Sequence, residues 1–199
     1  SFNEKMNAAK GIKPSSSSKK RTLSCSLQFT IPMYETLKAR YPYKSLKDTL
    51  DQIEKQIDIS VPFAVDFMEK SCKNHVDSIK KPVTVQALFD LLKSKTHYQD
   101  DPKGVELIQS MPSLFLDNYY GVPGTGDCDC FTVTACACMI AEDFSTGFTI
   151  YGNGLMPTHI AADYYEYRYN RPYRVPFDLV APNLGIVKKY RWSKSYKLQ

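Results

Sequence analysis

The run from Cys128 to Ala141 constrains the fold of this chain more than any other segment. It follows the loop-forming Gly121-Val-Pro-Gly-Thr-Gly126, is rich in Ala and Cys, and contains neither Gly nor Pro, so it reads as one unbroken helix. Three strand-like runs come after it, Phe148 to Tyr151, His159 to Tyr167 and Tyr173 to Val180. Each is rich in β-branched or aromatic residues, and turn signals at Gly152-Asn-Gly154 and Asn170-Arg-Pro172 separate them. Upstream, Leu46, Leu50, Ile53 and Ile57 share one helical face behind Ser45 and Asp48, which are spaced as a capping box. Ser60 and Pro62 are expected to open a second helix through Phe63, Phe67, Val76 and Ile79. Thr84 caps a third, containing Val85, Leu88, Leu91 and Leu92. Helices, one further helix and then a meander give the α+β class.

With 199 residues, 43% of them apolar, the chain can bury one sizeable core. The expected division is a flexible basic arm over 1–24, a single domain over 25–185 and a basic aromatic tail over 186–199. The domain is helical over 45–112, with a catalytic core over 113–185. No stretch approaches the roughly 20 apolar residues of a membrane span, and the Lys- and Ser-rich start lacks the apolar run of a signal peptide. Four of the six Cys crowd between Cys128 and Cys138, which suits reduced thiols and synthesis in a cytoplasm better than a disulfide framework. The net charge of +5 hides a division: residues 1–24 carry six basic and one acidic residue, residues 179–199 five basic and none acidic, and the remainder 15 basic against 20 acidic. Basic ends on an acidic body suit anionic partners such as nucleic acid or an anionic membrane surface. The segment Lys188 to Tyr196 interleaves cations with Tyr190, Trp192 and Tyr196. It is compatible with such a surface, and docking onto the body is the simpler reading.

A nucleophilic thiol needs help to ionise, and the partial positive charge at a helix start supplies it. Cys128 opens the helical run, with Asp127 or Gly126 as its cap. Of three His, His75 falls within an expected helix and His97 just after one. His159 begins a strand, from which it can project from a sheet edge toward a helix start packed on that sheet. The other ring nitrogen needs an acceptor to fix the tautomer, and Asp178 on the next strand is placed for it. Asp163 is the competitor, but four residues along one strand put it about 13 Å from His159. The rival reading, a zinc site from two C-x-C pairs, fails if the run is helical. At about 100° per residue the four thiols point to roughly 0°, 200°, 80° and 280° around the axis. No metal or other cofactor is expected.

The stretch His97-Tyr-Gln-Asp-Asp-Pro-Lys-Gly-Val-Glu-Leu-Ile-Gln-Ser-Met-Pro112, then Gly126-Asp-Cys-Asp-Cys-Phe131, Thr158-His159 and Pro176-Phe-Asp178 resembles the transglutaminase-like domains of bacteriophages and prophages across about residues 45 to 185. The chain departs from the family pattern at Cys130, where a second Asp is common, and in His159-Ile-Ala-Ala162. The resemblance implies a papain-like core in which Cys128 attacks a carbonyl, His159 moves the proton and Asp178 orients His159. The oxyanion would be held by the Cys128 amide and a side chain among Asn118, Tyr119 and Tyr120. It further implies a cysteine hydrolase or acyltransferase acting on amide bonds of peptide or cell-wall peptidoglycan, incorporated in a virion beside other virion proteins. The alternative is a virion scaffold protein that retains the fold.

Overall fold

The computed structural model of the chain describes residues 38–41, 45–73, 83–103, 106–115 and 123–198. The arm assigned to 1–24, His75 and the oxyanion candidates Asn118, Tyr119 and Tyr120 lie outside them. In chain order the elements are β1 (Lys38–Tyr41), α1 (Leu46–Lys73), α2 (Val85–Lys95), β2 (Thr96–Tyr98), β3 (Glu106–Gln109), α3 (Met111–Leu114), β4 (Gly124–Gly126), α4 (Cys128–Ala141), β5 (Thr146–Gly152), β6 (Pro157–Arg168), β7 (Arg171–Phe177) and β8 (Trp192–Lys197). The class is α+β.

The Ala- and Cys-rich run forms α4 over the expected residues. Its side chains from Asp129 to Met139 are all buried, and a helix without a wet face must be enclosed on every side. α1 packs along one side of it and the strands β5 and β6 along the other. The sheet has the order β7-β6-β5-β8 and is antiparallel throughout. Alternation along the strands sorts its two faces. Phe148, Ile150, Ile160, Ala162 and Phe177 join the core with α4, while Thr149, Tyr151, Asp163 and Arg174 form a polar cluster of opposite parity. The small residues of α4 let the helix sit close to the sheet. Cys136 Sγ donates to Gly147 O at 3.3 Å, and Thr146 Oγ1 reaches Met139 Sδ at 3.7 Å.

The expected break at Ser60 and Pro62 does not occur: α1 runs through both. Pro62 lacks the N–H that would bond to Asp58, a cost of about 3 kcal/mol in a helix interior. Two features outweigh that cost. Ile53, Ile57, Ala64 and Met68 are all buried on one side of the same helix, before and after the proline. Ser60 Oγ donates to Gln56 O and accepts the Met111 N–H at 2.8 Å, which ties the middle of α1 to α3. Thr84 caps α2 as expected, accepting the Ala87 N–H at 3.1 Å.

The basic aromatic segment supplies β8, which pairs with β5 from Gly147↔Lys197 to Gly152↔Trp192. Two glycines permit this. A Cβ at Gly147 would lie 2.2 Å from Tyr196 O, and one at Gly152 2.3 Å from the Trp192 ring. The β6–β7 hairpin turns at Tyr169 and Asn170, both at positive φ (51° and 60°), and Pro172 is accommodated because β7 is an edge strand. Among the described residues no helix is long and apolar enough to cross a membrane.

Candidate active site

Cys128 is the first residue of α4, and Asp127 caps that helix by accepting the Cys130 N–H at 3.5 Å. The approach to the cap is held from outside. β4 pairs in parallel with β2, and the Gln99 N–H donates to Gly126 O at 2.9 Å, so His97–Tyr98 and Gly124–Gly126 run side by side into the helix start. Tyr98 meets Phe131 of α4 edge-on and donates its hydroxyl to Asp100 at 2.9 Å.

His159 and Asp178 are brought together, with Nε2 and Oδ2 2.8 Å apart and the two side chains only 9% and 5% exposed. Asp178 leaves β7 immediately after Phe177, and its other oxygen accepts the Val180 N–H at 2.9 Å, which fixes the carboxylate from both ends. A carboxylate can only accept. Nε2 therefore carries the hydrogen of this bond, and Nδ1 is left as the basic nitrogen. Tyr190 stacks on the imidazole, centroids 5.6 Å apart and planes 9° apart, and Tyr151 packs beside both rings.

Cys128 and His159 line one cavity of about 440 Å³. Cys128 is half-buried. The Ile160 backbone beside it favours the ionised sulfur. Burial pushes the thiol well above its ordinary pKa, and the neighbouring Asp127 and Asp129 push it further. Both effects work against the helix start, whose partial positive charge favours the thiolate. The helix charge is outweighed by two carboxylates and a poorly hydrated position.

Asp163 has another partner. Arg174 Nη1 donates to Asp163, Thr149 Oγ1 and Tyr151 Oη, each at 2.9 Å, and Thr149 also donates to Asp163. The remaining thiols scatter as the helical angles require. Cys130 donates to Leu107 O at 3.0 Å, Cys136 to Gly147 O, and Cys138 lies 3.6 Å from Met111 Sδ. Among the described residues, Asp127, Asp129 and Cys130 place one ligand atom each within 4.8 Å of one another and are the group that could hold a metal ion. No family model, curated protein or solved structure matches this chain.

Two groups of residues at the site were not anticipated. Tyr190 and Tyr151 enclose His159, and only the aromatic spacing around Tyr190 hinted at docking. The second group is acidic. Asp129 is 2% exposed and neither of its oxygens receives a hydrogen bond. Burial, then the adjoining Asp127 and Glu106, raise its carboxyl well above the usual range. The signal for this group was present in Asp100-Asp101, Glu106 and Asp127-Cys-Asp129; the β2–β4 pairing brings the first and last of these together, and Glu106 enters from β3.

Proposed function

We propose that this chain is a transglutaminase-like cysteine enzyme that cleaves or transfers amide-bonded acyl groups, built on a papain-like core. One observation carries the reading: a buried imidazole–carboxylate pair and a half-buried thiol at a helix start line the same cavity. In the first step the Cys128 sulfur bonds to the carbonyl carbon as its proton passes to His159 Nδ1. Because the thiol starts neutral, His159 acts as general base during attack rather than standing in a preformed ion pair. Asp178 holds the ring and stabilises the imidazolium. The intermediate collapses with loss of the C–N bond, and the same proton leaves with the amine. Water or a second amine then takes the acyl group from sulfur, giving hydrolysis or cross-linking. The Cys128 backbone amide and a side chain from Asn118, Tyr119 or Tyr120 are the proposed oxyanion donors.

The substrate class proposed with this reading is a peptide or peptidoglycan cross-link, and the setting a phage particle. Purified enzyme should release amines from peptidoglycan or incorporate a fluorescent amine into a glutamine-rich protein, and Cys128→Ala should reduce either activity to background. Activity retained by Cys128→Ala would exclude the assignment. The second reading, a virion scaffold that retains the fold, is favoured by the burial and neighbouring carboxyls that hold the Cys128 thiol well above its ordinary pKa. Thiol alkylation measured across pH separates the two. A His159→Ala variant that alkylates at the wild-type rate, with no turnover by the wild type, supports the scaffold.

A further inference from the structure

The cavity beside Cys128 is walled by one sign of charge. Among the described residues that line it, Asp100, Asp101, Glu106, Asp127 and Asp129 stand against a single cation, Lys103. Part of this acidity is already used. Asp100 holds the Tyr98 hydroxyl, Asp101 the Leu107 N–H and Asp127 the Cys130 N–H, each through one oxygen, which leaves a second oxygen on each. Asp129 is different: it is almost wholly buried, lines the cavity and has no donor on either oxygen. Short of hydration and crowded by Asp127 and Glu106, this carboxyl is held toward its neutral form, and a cation or an added donor in the cavity would let it ionise.

We propose that this cavity receives a positively charged group of the substrate, an ammonium or guanidinium lying next to the amide on which Cys128 acts. The class of substrate is thus a peptide with a Lys-like, Arg-like or free amino group beside the reacting carbonyl. The clause about the reacting amide rests on the proposed function; the cation site itself does not. A compact metal ion is a poorer fit. Among the described residues, Asp127, Asp129 and Cys130 are the group whose ligand atoms lie within 4.8 Å of one another, and the Cys130 thiol is already spent on Leu107 O. Asp100 and Asp101 lie outside that group, which suits an extended organic cation. Such a cation would also offset the negative charge that adds to burial in disfavouring the Cys128 thiolate, so the correct substrate would help activate its own nucleophile. Clefts lined by one sign of charge raise encounter rates with the opposite sign by roughly 10- to 1,000-fold.

The test is the reaction of Cys128 in the full chain, in EDTA at pH 7.5, with two methanethiosulfonates of matched size, aminoethyl (cationic) and sulfonatoethyl (anionic), each forming a mixed disulfide on the thiol and releasing methanesulfinate. Rates are read at Cys128 by mass spectrometry and normalised to the same pair on a small free thiol. The expected result is a preference of about tenfold or more for the cationic reagent, falling in 0.5 M NaCl and in the double variant Asp100→Asn/Asp101→Asn. Circular dichroism and melting confirm that the variant is folded, and Glu106→Gln serves as a second variant if it is not. A normalised ratio near one, or a ratio that the variants leave unchanged, overturns the proposal. So does saturable loss of the preference when EDTA is left out and micromolar calcium or magnesium is added, which would make the occupant a metal ion. The outcomes for the two proposals separate cleanly. A high ratio without amide turnover keeps the cation site and removes the enzyme, whereas turnover lost in Cys128→Ala with a flat ratio does the reverse.

Discussion

Asp178 touches His159 through one oxygen and the chain through the other, so its removal should alter the base without undoing the strand that carries it. Asp178→Asn would offer an amide where a carboxylate stood, favouring the wrong tautomer; the expected loss is on the order of 100- to 10,000-fold in kcat. Asp163→Asn serves as the control, because that carboxylate pairs with Arg174 and should change melting temperature far more than turnover. Asp101 gives a prediction about pH. Burial raises its carboxyl to about 6, with Asp127, Glu106 and Asp100 adding to the effect, although the Leu107 N–H works against them. Between the ordinary carboxylate value and about 6 the folded state holds a proton that the unfolded chain has released. Stability therefore falls as pH rises through that window. Asp101→Asn can keep the Leu107 bond and removes the titration. Its urea midpoint should be flatter than wild type from pH 4 to 6 and higher above pH 6, by on the order of 1 kcal/mol after solvent screening. A wild-type midpoint that climbs through this window would contradict the assignment.

At the scale of elements, Pro62 offers the plainest test, since it is exposed and sits inside α1. Pro62→Ala restores a helix hydrogen bond at a position with nothing to repack and should stabilise by roughly 1–2 kcal/mol, seen as a higher urea midpoint. The same residue shows where sequence pattern stops being informative. A proline is a local signal for a boundary, and what carries α1 past it is the distant packing of Ile57, Ala64 and Met68 and the Ser60–Met111 bond. α2 and α4 were legible because Thr84 and Asp127 cap them from adjacent positions. β5, β6 and β7 were legible from their composition and turns. β1 to β4 are three or four residues each, and what makes them strands is a partner far along the chain. The nearness of His159 and Asp178 was expected from neighbouring strands; His159 is on β6, whereas Asp178 lies one residue past the end of β7. The reason Asp163 is excluded is only partly spacing, since Arg174, on the strand beside it, is what occupies it.

For the whole molecule, β8 has two tasks. It closes one side of the sheet against β5, and the chain just before it carries Tyr190 onto the His159 ring. Removing residues 188–199 should expose the β5 edge, lower the melting temperature and promote association, which light scattering would detect; a monomer of unchanged stability would show that β8 is dispensable. The basic charge of this segment lies on the acidic body whose cavity concentrates carboxylates, so the division of charge along the sequence becomes a division across one folded surface. A ribosome makes Cys128, then His159, then Asp178, and only afterwards Tyr190 and the strand that follows it. If the site is used as proposed, its three reacting groups exist on the nascent chain before the ring that shields them, and full competence is reached only when that last strand has docked. Under that proposal the order of synthesis would work as a delay on the amide-attacking site.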